Sequence, residues 1–115
     1  MKIKLYEVRE DEKKAIARVA EELGVEVSIS SENLTPQEAE GLSGIDGISI
    51  LGRTTVDKEL LDSLKRAGVG YVSTRTIGYN HMDVEYASKV GIHLCNANYP
   101  PYGVAEFTIM LMLLA

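Results

Sequence analysis

Val72-Ser73-Thr74-Arg75-Thr76-Ile77-Gly78-Tyr79-Asn80-His81-Met82-Asp83 reads as a short strand, a glycine turn and a helix that opens at Asp83. Repeated β–α units flank this stretch on both sides. In parallel α/β proteins, ligands sit at the C-terminal ends of the strands, where backbone N–H groups are free and helix N-termini point inward. The segment therefore suggests a fold and marks a site at once.

Working outward, Ile3 to Val8 has strand character and is broken by Arg9-Glu10-Asp11-Glu12. Ala15, Ile16, Val19, Ala20 and Leu23 then follow helical spacing, with Gly24 as a C-terminal stop. Val25 to Ile29 alternates as a second strand. Thr35, Pro36 and Glu38 have the form of a capping box, with Glu38 reaching back, on a short helix that ends near Gly41. Ile45 to Leu51 is nearly all apolar and so is predicted to be a central strand. Asp57 caps a helix that buries Leu60, Leu61 and Leu64 and ends before Gly68. Tyr71 to Thr74 is the fourth strand, and Asp83 caps the helix that carries Val84, Tyr86 and Ala87 to Gly91. Ile92 to Cys95 is the fifth strand, followed by a loop over Asn96 to Tyr102 and a last helix from Gly103 or Val104. Five strands alternating with five helices argue for a parallel sheet with right-handed crossovers. The simplest arrangement is an α/β, flavodoxin-like, doubly wound sheet of order 2-1-3-4-5.

Composition narrows the function. With 12 Lys+Arg against 17 Asp+Glu, a net of −5 over 115 residues, no basic cluster exists to grip nucleic acid. Cys95 is the only cysteine, so no internal disulfide can form, and a reducing, cytoplasmic location fits best. The N-terminus alternates charged and apolar residues and lacks the apolar core of a secretory signal.

Val104 to Ala115 is apolar almost all round and stops without a capping residue. A membrane span would need about 20 apolar residues, and Glu106 interrupts this shorter run. A helix apolar on every side is normally buried on every side. The chain therefore reads as a piece of a longer protein, cut within a helix, and the piece is expected to self-associate through residues 104–115.

On this topology the loops after each strand gather along one sheet edge. Consecutive N–H groups at Ile77 and Gly78 could form a nest for a carboxylate, with glycine permitting positive φ and close ligand approach. From one glycine alone, a tight turn without ligand is the commoner outcome. Arg75 could grip a carboxylate bidentately, but pairing with one of the chain's acids takes precedence. Asp83 is better explained as an N-cap than as a general base, and His81 as a solvated or capping side chain. His93 and Cys95 share a strand face without a second ligand pair, so no metal is expected, and Cys95 reads as a small buried hydrophobe. Tyr99, in a proline-stiffened loop, lies at the edge where a ligand should bind. No G-x-G-x-x-G fingerprint, P-loop or Ser–His–Asp set is present, so no catalytic residue is assigned within the chain.

Three segments together carry a family likeness: Val8 to Glu12, Ser73 to Asp83, and Asn98-Tyr99-Pro100-Pro101-Tyr102-Gly103-Val104-Ala105-Glu106-Phe107-Thr108. They resemble the D-isomer-specific 2-hydroxyacid dehydrogenases, most of all the D-lactate dehydrogenases, including the vancomycin-resistance type. The likeness covers essentially the whole chain in order.

That resemblance implies an NAD-dependent oxidoreductase that transfers hydride between NADH and a small 2-keto acid such as pyruvate. It implies two α/β domains: residues 1–103 would be the N-terminal part of the substrate domain, and residues 104–115 the start of a helix leading into an NAD-binding domain. The Ile77–Gly78 backbone would hold the substrate carboxylate, and Tyr99 would contact the substrate from the facing loop. Leu51 matches a pocket-lining position that is aromatic in some lactate enzymes, and Val104 a position near the nicotinamide. The family's carboxylate-gripping arginine, its acid/base histidine and the carboxylate that tunes that histidine would lie beyond Ala115. The fragment alone is thus expected to be inactive, and the full-length protein to be a homodimer.

Two other readings stay open. A stand-alone flavodoxin-like binding or signalling module fits the topology, although a phosphoacceptor receiver would want an acid where Leu51-Gly52-Arg53 ends the third strand. A non-catalytic, corepressor-like relative of the dehydrogenases differs only in sequence outside this chain.

Overall fold

The structure is a computed structural model that describes residues 1–98 and 102–114, without the side chains of 102–105. Its elements are β1 (Lys2–Leu5), a 3₁₀ turn (Glu10–Glu12), α1 (Lys13–Leu23), β2 (Glu26–Ile29), α2 (Pro36–Glu40), β3 (Gly47–Ile50), α3 (Lys58–Arg66), β4 (Tyr71–Thr74), α4 (Val84–Val90), β5 (His93–Cys95) and α5 (Tyr102–Leu114). The strands form one sheet of order β2-β1-β3-β4-β5 with every pairing parallel, the doubly wound α/β arrangement expected from the alternation.

Local chemistry explains the helix ends. The Asp57 carboxylate accepts from the Leu60 N–H at 3.0 Å, and that of Asp83 from the Tyr86 N–H at 3.0 Å, each satisfying an orphan donor of the first turn. Gly24 and Gly91 close α1 and α4 in the left-handed region, at φ 66° and 79°. Thr35 caps α2 through the Glu38 N–H, but the predicted capping box is only half formed. The Glu38 carboxylate turns to Lys4 Nζ at 3.3 Å, because β1 brings that ammonium alongside. The reciprocal contact occurs instead at the start of the 3₁₀ turn, where the Arg9 N–H donates to Glu12 Oε2 at 2.8 Å.

The core lies on one face of the sheet. Ile48, Ile50 and Val72 point there and pack against Leu60, Leu61 and Leu64 of α3, with Ala39 of α2 and Ala87 of α4 completing the layer. Residues alternate across the pleat, so Ile3, Leu5 and Ser49 face the other side, toward α1. An apolar hollow of about 340 Å³ remains there, lined by these three and by Ile16, Val19 and Leu23 among others.

β1 is shorter than the expected run to Val8. Glu7 adopts φ 55°, in the left-handed region that a β-carbon disfavours, and this turns the chain out of the strand. The described side chains of α5, Glu106 to Leu114, are exposed.

Candidate functional site

Three strand ends converge at the C-terminal edge of the sheet: Tyr6–Glu7 after β1, Leu51–Thr54 after β3, and Arg75–Gly78 after β4. The Arg75 N–H bonds to the Ile50 carbonyl at 2.8 Å, so the last two run side by side. A β-carbon on Gly52 would stand 3.9 Å from Thr76 Cγ2, which places the loop holding Leu51 directly against the glycine turn.

The turn has an uneven polar inventory. Its carbonyls are occupied from within: Thr76 O accepts from the Ala97 N–H at 2.9 Å, Ile77 O from Asn96 Nδ2 at 2.7 Å, and Gly78 O from Thr76 Oγ1 at 2.7 Å. The N–H groups of Ile77 and Gly78 have no acceptor among the described residues, and both residues are exposed. Two adjacent free donors with their carbonyls turned elsewhere form an anion-receptive surface. Gly78 differs from expectation, because its φ lies outside the left-handed region. A β-carbon there would meet only Asn80 Oδ1, at 3.8 Å, so neither backbone strain nor crowding requires glycine. The approach to the two amides is open.

Arg75 takes the structural part. Its Nε donates to Glu12 Oε1 at 3.1 Å and Nη1 to Ser49 Oγ at 3.0 Å, while Nη2 donates to the carbonyls of Tyr6 and Glu7 at 2.9 and 3.1 Å. That guanidinium is committed to holding strand ends. His81 is half-buried and not simply solvated, with Nε2 at 3.1 Å from Thr74 Oγ1. That threonine hydroxyl also lies 2.7 Å from Thr76 Oγ1, so the histidine braces the turn from behind.

Leu51 is half-buried, and its N–H is taken by the Glu7 carboxylate at 2.8 Å. Tyr99 lies outside the described residues, as does the side chain of Val104, so the two remain expectations from sequence. Cys95 is exposed, against its reading as a buried hydrophobe, because β5 is an edge strand and its outer positions lack cover. His93 stacks on Tyr71 with ring centroids 5.2 Å apart. Among the described residues no group of three or more His, Cys, Asp or Glu side chains is placed to hold a metal ion. No described helix is long and apolar enough to cross a membrane.

Sequence reasoning missed Glu7 and Asn96, which shape the two walls of the site. The available signal for Glu7 was a carboxylate set within the apolar run Leu5-Tyr6-Glu7-Val8. A charge in such a place is either bonded or marks a break. Asn96 carries no comparable signal.

The structure is thus a flavodoxin-like α/β domain with an exposed amide pair at a strand end, backed by a threonine–histidine brace. Residues 3–110 match the model of the D-isomer specific 2-hydroxyacid dehydrogenase catalytic domain, and the chain belongs to that family. An aromatic 2-oxoacid reductase of Clostridium sporogenes is 40% identical over 114 residues, covering 98% of this chain and 34% of that protein. The apo structure of D-lactate dehydrogenase from Escherichia coli superposes with a TM-score of 0.90 at 29% identity, over 98% of this chain and 36% of the other. An NAD-complexed D-isomer specific 2-hydroxyacid dehydrogenase from Lactobacillus delbrueckii ssp. bulgaricus does so at 0.82 and 25% identity, over 98% of this chain and 35% of the other. The chain therefore spans about a third of the length of these relatives.

Proposed function

We propose that this chain is the N-terminal part of the substrate domain of an NAD-dependent D-2-hydroxyacid dehydrogenase, acting on a small 2-keto acid such as pyruvate and yielding D-lactate. Residues 1–103 form that part, and residues 104–115 begin a helix leading to an NAD-binding domain. The observation that carries the reading is the pair of amides at Ile77 and Gly78, which have no acceptor among the described residues and whose carbonyls are engaged. Such a pair suits a carboxylate, and the adjoining Leu51 loop suits the short body of the acid.

The described residues do not fit the cofactor. The first β–α junction, where a doubly wound sheet would cradle a pyrophosphate, carries Glu10, Asp11 and Glu12 and no glycine-rich turn. When bound, NADH supplies the hydride, and on this reading most of the residues that hold it lie outside this chain, with Val104 near the nicotinamide. The domain's own part is to orient the acid and shield one of its faces. Support for NAD comes from the NAD-complexed relative, and the expected setting is a cytoplasmic homodimer.

Leu51 favours a second substrate reading. An aliphatic side chain, where some lactate enzymes place an aromatic ring, leaves room for a bulkier 2-oxo acid, and the 40% identical relative is named for aromatic 2-oxoacids.

Titrating the ¹⁵N-labelled chain with pyruvate tests the proposal. Saturable movement of the Ile77 and Gly78 amide resonances is expected, and shifts confined to other residues would refute it. The 115-residue polypeptide by itself should not oxidise NADH in the presence of pyruvate.

A further inference from the structure

We propose that Glu7 is a positioning residue that fixes the Leu51 wall of the site against the Ile77–Gly78 cradle and so sets the size of acid accepted. The inference rests on the reading of that cradle as the carboxylate seat.

The Glu7 side chain is fully buried, and both of its oxygens are committed to one loop. Oε2 accepts from the Leu51 N–H at 2.8 Å and from Thr54 Oγ1 at 3.0 Å, while Oε1 accepts from the Arg53 N–H at 2.9 Å with Arg53 Nε at 3.4 Å. A carboxylate is acceptor-only, so it can serve all four donors without conflict. The residues just past β3 have left the sheet ladder, and this one side chain does for Leu51 and Arg53 what a neighbouring strand would otherwise do.

Glu7 is itself held at both ends. Its N–H donates to the Glu32 carbonyl at 3.0 Å, and its own carbonyl accepts from Arg75 Nη2 at 3.1 Å. Its φ of 55° is unusual for a residue with a β-carbon, a conformation kept only where surrounding contacts impose it. Glu7, Arg75 and the Leu51 wall form one hydrogen-bonded unit across three strand ends, and the chain runs from Arg75 into the cradle two residues on. Any shift of the Leu51 backbone relative to the start of the cradle segment at Arg75 has to break part of that unit.

The test compares pyruvate with phenylpyruvate as probes on the labelled wild-type chain, on Glu7→Gln and on Glu7→Gly. Glutamine puts an NH₂ against a backbone donor. Glycine removes the side chain but accepts the positive φ, which keeps the variant folded if glutamine does not. In the variants the Leu51 and Arg53 amides should exchange faster with solvent. Pyruvate should still move Ile77 and Gly78, while the preference between the two acids changes at least about threefold. A folded variant with freed loop amides and unchanged preference would overturn the role given to Glu7. Should pyruvate leave Ile77 and Gly78 unmoved in the wild-type chain, the carboxylate seat itself is wrong and this proposal falls with it.

Discussion

Arg75 and Glu12, 63 residues apart in sequence, close an ion pair at 3.1 Å that joins the end of β4 to the turn opening α1. Both side chains are largely shielded, at 20% and 18% exposure, so the pair is screened less than a surface contact. The same guanidinium reaches Ser49 and the Tyr6 and Glu7 carbonyls, so one residue spans the ends of β1, β3 and β4.

Removing that guanidinium leaves a carboxylate, a hydroxyl and two carbonyls without their donor. Arg75→Met should lower the stability of the domain by about 3 kcal/mol, in the range for breaking one side of a shielded pair. Arg75→Lys should recover only part of the loss, since a point-like ammonium cannot serve four acceptors in a fork. Urea unfolding with an unchanged denaturant slope is the measurement, and a loss below about 1 kcal/mol would show the network to be dispensable.

The pair also predicts an acid dependence. Partial burial pushes the Glu12 carboxyl up, but the Arg9 N–H and the bond and charge of Arg75, with the Arg9 charge, more than reverse this and hold it below its ordinary 4.5. A carboxylate depressed in the folded state stabilises fully above its unfolded value and ceases to do so as pH falls through its folded value. Glu12→Gln should therefore be less stable than wild type at pH 6, with the two converging as the solution is acidified well below pH 4.5. A gap that stays constant from neutral to strongly acid solution would contradict the assignment.

On the proposed carboxylate seat, substitutions at Gly78 should separate folding from binding. Its φ lies outside the left-handed region and no crowding is present, so Gly78→Ala should be neutral or stabilise by about 0.5 kcal/mol through the unfolded chain. Gly78→Val, which puts branched bulk over the amide pair, should weaken the pyruvate response at Ile77 at least about tenfold, by analogy with steric occlusion of a preformed site. Thermal unfolding and the amide titration, run on the same samples, read the two effects independently.

What could be read in the sequence follows the range of the interactions. Asp57, Asp83, Gly24 and Gly91 act within one helical turn, so caps and stops, and with them the five β–α units, were legible. The apolar run that gives β3 its central place is equally local. The hydrogen bonds around the candidate site were not legible, because the donors on Glu7 stand 44 to 47 positions away and the acceptors of Arg75 up to 69. Residue type favoured an acid partner for Arg75 but could not say that it would be Glu12, nor that Glu38 would leave its capping role for Lys4. Gly78 shows the converse, since the turn after β4 that holds it was legible but the positive φ expected there is not adopted.

The last helix carries the remaining prediction. Phe107, Ile109, Met110, Leu111, Met112, Leu113 and Leu114 are exposed at 47% or more, a continuous apolar surface along the last two turns of α5. Exposed apolar area of this extent associates, because water gains on its removal whatever covers it. Light scattering on the 115-residue chain should give a mass above that of one copy and rising with concentration, and removal of residues 104–115 should return it to a single copy. The sheet and its core should be unaffected by that removal, because none of the described side chains of α5, Glu106 to Leu114, belongs to the hydrophobic cluster between the sheet and α2, α3 and α4. A chain that scatters as one copy with and without the segment would show that α5 folds back onto its own domain, and the apolar hollow beneath α1 would then be the first place to look for it.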